Sequence, residues 1–192
     1  MDLALFVRML EAGGVVACPT ETLVGLLADA HSHTAVARVV AIKQRGDAPV
    51  ALLVPSVAHA VALVVSVPEP ARLLMEAYWP GPLTIVLRAR PGLPPSIAPN
   101  GTVGIRMPGP SAALDLVRAF GGPLTATSCN PSGKPSAQDE HEARAYFGPQ
   151  VDAYVPGHCG GSAPSTVVDA TGAALRLIRR GAVALDLPNT AP

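Results

Sequence analysis

Apolar residues recur along this chain at two spacings, and the alternation between them predicts its elements. Leu3, Phe6, Val7 and Leu10 follow the three-and-four spacing of one helix face. Asp2 is placed to cap that helix and Gly13-Gly14 to end it. Val15 to Cys18 reads as a short buried strand, and His33 to Gln44 as a helix with Val36, Val39 and Val40 turned inward. Val50 to Val54 is a strand, Ser56 to Val64 and Pro70 to Trp79 are helices, and Pro80-Gly81-Pro82 stops the second. Leu83 to Ala89 alternates with the period of a strand, and Pro91 to Gly101 is a proline-rich loop. Then come a strand over Val103 to Met107, a helix from a Ser111 cap to Phe120, a strand over Pro123 to Thr127 and a polar helix over Gln138 to Phe147. Short strands follow near Ala153, Val167 and Leu175. Strands and helices intermingle without strict βαβ repetition, which predicts an α/β domain built on a mixed twisted sheet.

Composition narrows the class. The chain has 192 residues, 49% of them hydrophobic and 15% charged, which suits one compact domain and excludes disordered and fibrous classes. The apolar run from Ala60 to Val65 falls far short of the roughly 18 residues a membrane span needs. The N-terminus lacks the basic and apolar regions of a signal peptide, so a cytoplasmic protein without membrane attachment is expected. Cys18, Cys129 and Cys159 are odd in number and lack metal-site spacing, so reduced thiols and no protein-bound metal are expected.

Fourteen basic residues balance fourteen acidic ones, which speaks against a general nucleic-acid binder. The cations fall instead in short groups: Lys43 with Arg45, Arg88 with Arg90, Arg106, and Arg176 with Arg179 and Arg180. Hydroxyls concentrate at predicted strand ends, in Pro19-Thr20-Glu21-Thr22, in Thr127-Ser128-Cys129-Asn130-Pro131-Ser132-Gly133 and in Pro164-Ser165-Thr166. Small basic groups beside hydroxyl-rich loops suit a polyphosphate. Each feature has an ordinary reading when taken alone: terminal cations complement a helix macrodipole, and Ser128 can serve as a cap or turn residue. Cys129 as a nucleophile lacks a local histidine signature, and His31 with His33 makes too few ligands for a metal. No glycine-rich phosphate motif is present, so a nucleotide would need another scaffold.

Taken in order, the segments Pro19-Thr20-Glu21-Thr22 with Gly25-Leu26, Ile42-Lys43-Gln44-Arg45, Pro80-Gly81-Pro82-Leu83-Thr84, Val103-Gly104-Ile105-Arg106-Met107-Pro108, Ser128-Cys129-Asn130, Ser132-Gly133-Lys134-Pro135-Ser136, Pro164-Ser165-Thr166-Val167-Val168-Asp169 and Arg179 with Gly181 resemble the YrdC/TsaC family. The likeness runs from about residue 13 to 183 within a single domain of residues 1–192, and it resembles the short, stand-alone form of the family. It implies an open twisted mixed α/β sheet flanked by helices, the YrdC-like (RibB-like) fold, with a positively charged concave face. It also implies the synthesis of threonylcarbamoyl-AMP and pyrophosphate from ATP, L-threonine and bicarbonate. Mg²⁺ would accompany the ATP, and the product would pass to the tRNA threonylcarbamoyl transferase proteins that modify adenosine 37. The concave face is a candidate surface for tRNA or double-stranded RNA.

Position by position, the resemblance implies that Lys43 and Arg45 oppose the polyphosphate as the catalytic cations. Thr102, Ser128, Asn130, Ser136 and Arg179 are implied as further ATP contacts, with Thr22, Arg106 and Ser165 on threonine. Arg106 would clamp the carboxylate of the amino acid. Glu21 would accept a proton, help hold Mg²⁺, or pair with Lys43 or Arg45. The chain departs from the common pattern at Val24, Leu27 and Leu53, where family members often carry an aromatic residue, a glycine and a histidine. Two other readings compete: a non-catalytic RNA-binding module of the same fold, and a carbamoyl-adenylate-forming relative with a different acceptor.

Overall fold

The computed structural model describes residues 2–44 and 49–187. Among these, nine strands form one sheet in the order β7-β1-β2-β6-β3-β5-β4-β8-β9. The strands are β1 (Val16–Pro19), β2 (Val24–Leu27), β3 (Ala51–Leu53), β4 (Leu83–Arg88), β5 (Thr102–Arg106), β6 (Leu124–Ser128), β7 (Ala153–Tyr154), β8 (Thr166–Asp169) and β9 (Arg176–Arg179). β1 pairs parallel with β7, β3 with β5 and β4 with β8, and the other neighbours run antiparallel, so the sheet is mixed as expected.

Among the described residues, six α-helices cover it: α1 (Leu3–Glu11), α2 (His33–Lys43), α3 (Val57–Leu63), α4 (Glu69–Tyr78), α5 (Ala112–Phe120) and α6 (Glu140–Phe147). Local chemistry sets their starts. Asp2, Ser32, Ser56, Ser111 and Asp139 each accept a hydrogen bond from a backbone amide of the first turn. The predicted Asp2 and Ser111 caps are among them. Gly121 ends α5 in the left-handed region at φ 74°.

Coverage is unequal. α2 and α6 pack on one face of β1 and β2 through Ala35, Val39, Ile42, Ala143 and Phe147. α1 and α5 pack on the opposite face through Phe6, Leu10, Leu114 and Val117 against Val16, Cys18, Leu27 and Leu53. Farther along the sheet, Ala60, Leu63, Ala71 and Met75 of α3 and α4 cover Leu52, Leu83, Ile85, Val103, Ile105 and Val168. Among the described residues, the other face of that half carries no helix, and it is the floor of a cleft.

Strand periodicity explains why the floor stays open. On β4, Leu83, Ile85 and Leu87 point into the core, while Thr84 and Val86 line the cleft. On β5, Val103 and Ile105 point inward, and Thr102, Gly104 and Arg106 line the cleft. Ala51 and Ala126 continue the floor on β3 and β6. Small and polar side chains at these positions give the sheet no apolar face for a helix to bury.

β8 and β9 add a detail that matters for the site. Val168 pairs with Leu177 and Val167 with Arg179, so the register slips by one residue and Ile178 bulges. Leu177 then joins the core, while Ile178 and Arg179 both line the cleft. β2 was not anticipated as a strand, because its four apolar residues follow directly on the polar turn at Thr20–Thr22. The strand expected near Leu175 begins one residue later. Among the described residues, no helix is long and apolar enough to cross a membrane.

Candidate functional site

The cleft has a volume of about 720 Å³, within the range of small-molecule sites. Thr22, Thr102, Arg106, Ser128, Ser136, Ser165 and Arg179 all line it, although they come from segments spread over more than 150 residues. Arg45 lies outside the described residues.

At one end sits Arg106, the last residue of β5, with only 7% of its surface exposed. Its Nη1 donates to Thr22 Oγ1 at 3.1 Å and its Nη2 to Glu21 Oε2 at 3.5 Å. Burial lowers the Arg106 pKa, the nearby Glu21 carboxylate opposes that shift, and Arg179 adds to it. An arginine stays charged in a protein even so. Here the charge faces one long ion pair, and both Arg106 Nε and Glu21 Oε1 lack a hydrogen-bond partner. A buried guanidinium with so little compensation is set to gain from a second anion, and a carboxylate fits its fork.

Thr22 is held by its own turn. Thr20 Oγ1 lies 2.8 Å from Thr22 Oγ1 and accepts from the amides of Thr22 and Leu23 at 3.0 and 3.1 Å. The hydroxyl-rich Pro19–Thr22 segment is therefore an ordered turn that presents Thr22 to Arg106.

On the other wall, Ser165 Oγ lies 2.9 Å from Thr84 Oγ1 and accepts from Arg179 Nη2 at 3.1 Å. Arg179 also donates to the Ser165 carbonyl through Nε at 3.2 Å and Nη2 at 2.8 Å. Gly181 makes this approach possible: a Cβ there would stand 2.3 Å from the Pro164 carbonyl oxygen, inside any tolerable contact. That backbone contact explains why Gly181 follows Arg179 at this spacing.

The Ser128–Ser136 loop rims the cleft. Lys43 sits behind it, 5% exposed, at the last turn of α2. Its Nζ donates to Ser128 O at 2.6 Å, Asn130 O at 2.5 Å and Asn130 Oδ1 at 2.9 Å. Ser128 Oγ donates to Asn130 Oδ1 at 2.6 Å, and Asn130 Nδ2 donates to Lys134 O at 2.6 Å. Lys43 and Asn130 thus support the loop from beneath, whereas Ser128 and Ser136 reach the cleft. Thr102 Oγ1 donates to Pro99 O at 3.3 Å at the far rim.

Cys129 belongs to the packed interior. Burial pushes its thiol up to about 12, with Lys43 opposing the shift, so it is protonated at neutral pH and not a nucleophile. Among the described residues, no group of three or more His, Cys, Asp or Glu side chains could hold a metal ion. Sequence reasoning missed Thr84 and Gly104 as cleft residues. A lone threonine in the otherwise apolar run Leu83–Leu87, and a glycine within a strand, were the available signals.

The departures at Val24, Leu27 and Leu53 fall together. All three are fully buried side chains that line the cleft.

The chain is similar to known proteins over nearly its whole length. Residues 8–181 match the family model Sua5_yciO_yrdC, which carries the description "Telomere recombination". A protein named threonylcarbamoyl-AMP synthase from Halorhodospira halophila is 39% identical over 172 residues, covering 87% of this chain and 90% of that protein. Sua5 of Pyrococcus abyssi, solved as a complex with L-threonine, superposes with a TM-score of 0.90 at 34% identity, covering 93% of this chain and 54% of Sua5. The chain therefore spans about half the length of that protein. YciO of E. coli superposes with a TM-score of 0.87 at 25% identity, covering 96% of this chain and 91% of YciO. With a mixed open sheet, a hydroxyl- and arginine-lined cleft on its uncovered face and a match across residues 8–181, this chain belongs to the Sua5/YciO/YrdC family.

Proposed function

We infer that the chain is a threonylcarbamoyl-AMP synthase, a nucleotidyltransferase that serves tRNA modification. Relatives of that name align with most of its length, and one family structure was solved with L-threonine. The observation that carries the reading is the convergence of Thr22, Arg106, Ser128, Ser136, Ser165 and Arg179 on one cleft.

In the proposed reaction, the amine of threonine adds to bicarbonate and water leaves, giving an N-carboxylate. An oxygen of that carbamate attacks the α-phosphorus of ATP, and pyrophosphate departs. Such a displacement needs placement and charge neutralisation rather than a protein nucleophile. Arg106 receives the threonine carboxylate, Thr22 and Ser165 border the amino acid, and Arg179, Thr102, Ser128 and Ser136 face the nucleotide. Arg45 opposes the phosphates. Lys43, with its ammonium bonded to Ser128 and Asn130, contributes by fixing the loop. Any Mg²⁺ would be held by the ATP phosphates and water, since the cleft lining supplies hydroxyls rather than a carboxylate cluster among the described residues. tRNA on the concave face, transfer to downstream modifying proteins and a cytoplasmic location complete the reading.

The test is purified protein with ATP, bicarbonate and each amino acid in turn, followed by pyrophosphate release and adenylate detection. Threonine-dependent adenylate is the expected result, and product that needs no amino acid would overturn it. A second reading, carbamoyl-adenylate formation with another acceptor, draws on Val24, Leu27 and Leu53 lining the cleft together. Adenylate made with a different amino acid in that series, and not with threonine, would favour it. Lys43→Ala and Arg45→Ala are each expected to lower turnover at least ~10-fold.

A further inference from the structure

We propose that Thr84 is a positioning residue that aims the Ser165 hydroxyl at an anionic oxygen of the substrate. Thr84 is 5% exposed on the floor of the cleft and interrupts an apolar strand. Its hydroxyl bonds to Ser165 Oγ at 2.9 Å. Ser165 Oγ is reached at 3.1 Å by Arg179 Nη2, which can only donate.

Proton accounting then fixes what the pair offers. Two hydroxyls carry two protons, and the bond between them consumes one. Arg179 occupies a lone pair on Ser165 and contributes no acceptor. One hydroxyl proton therefore remains for the cleft, whichever way the inner bond runs. When Thr84 donates to Ser165, the spare proton sits on Ser165, whose oxygen receives both a neutral and a charged donor. A hydroxyl that accepts two hydrogen bonds is a stronger donor, so this orientation is favoured once an anionic oxygen enters. Thr84 acts through Ser165 and does not itself touch the substrate.

The proposal rests on the synthase reading, in which Ser165 borders the amino acid, and its test separates the two. Wild-type adenylate formation with L-threonine is measured first, and its absence refutes both the reading and this proposal. In active protein, Thr84→Val keeps the shape of the side chain and removes the hydroxyl. It is expected to raise the KM for threonine about five- to tenfold, with the KM for ATP within about twofold of wild type. Thr84→Ser restores the hydroxyl and returns the KM for threonine to within about twofold. Ser165→Ala raises the same constant by at least as much as Thr84→Val. The double variant is no worse than Ser165→Ala alone, because Thr84 then has nothing to orient.

An unchanged KM for threonine in Thr84→Val overturns the proposal. So do strictly additive effects in the double variant, or equal rises in the KM values for both substrates. Thermal unfolding of each variant accompanies the kinetics. If Thr84→Val fails to fold, Thr84→Ala takes its place in the same cycle with the same expectations.

Discussion

Two faces of the same strands meet different fates. On the side turned to α3 and α4, β3, β5, β4 and β8 present Leu52, Ile105, Val103, Ile85 and Val168, and helices bury them. On the opposite side the same strands present Ala51, Gly104, Thr84 and Val167 with Arg106, and all five line the cleft. Strand geometry forces the alternation, so one run of sequence writes both surfaces at once. The covered face is built for stability. The open face gives up apolar burial and keeps hydrogen-bonding groups and a buried charge.

Perturbing each face in turn sharpens that division. Arg106→Ala should have the largest effect, raising the KM for threonine ~100-fold or more and leaving the buried Glu21 carboxylate uncompensated. Arg106→Lys should recover little, since an ammonium lacks the fork. Threonine-dependent pyrophosphate release reads both. On the covered side, Leu52→Ala should cost about 2–5 kcal/mol of stability. Denaturant unfolding measures this, and the KM for threonine of the folded fraction should be unchanged.

Gly104→Val is intermediate in size. Even a Cβ at Gly104 would stand 3.3 Å from Thr84 Cγ2 and 3.6 Å from Ala51 Cβ, so a larger side chain extends over the floor of the cleft. Turnover should fall ~10-fold, with unfolding shifted by less than about 1 kcal/mol, as suits a β-branched residue in a strand. A large stability loss with normal kinetics would show that the two faces do not divide their duties in this way.

The smallest effect lies away from the cleft. Asp152 accepts from the Val15 amide at 2.7 Å and pairs with Arg38 at 3.0 Å, tying α2 to the start of β1. Partial burial pushes its carboxyl up, but the bonds from Arg38 and Val15 more than offset this, and its pKa lies below the ordinary value. A depressed carboxylate stabilises the fold above its unfolded pKa of about 3.9, and that contribution is lost as pH falls through the lower folded value. Asp152→Asn should therefore cost about 1 kcal/mol at pH 7 and progressively less as pH falls below ~4, as read by unfolding at both pH values.

Helices were legible in the sequence wherever an apolar stripe met a capping side chain, as at Asp2 and Ser111. The strands of the covered half were legible from alternation. β2 was not, because Gly25 interrupts its short apolar run and a polar turn stands just before it. The gathering of Thr22, Arg106, Ser128 and Ser165 was expected from the order of the segments, since composition carries no distances. The place of Lys43 beneath its loop was invisible for a different reason. A lysine at a helix end reads the same whether it faces solvent, phosphate or a neighbouring carbonyl, and only tertiary packing selects among them.

The bulge at Ile178 makes the position of Arg179 a matter of parity. In an unbroken strand Ile178 would face the cleft and Arg179, two residues after core-facing Leu177, would turn away from Ser165 into the apolar layer behind the sheet. The cation therefore owes its place in the ligand space to the slip in pairing, and a change that restored unbroken pairing of this edge strand would withdraw it.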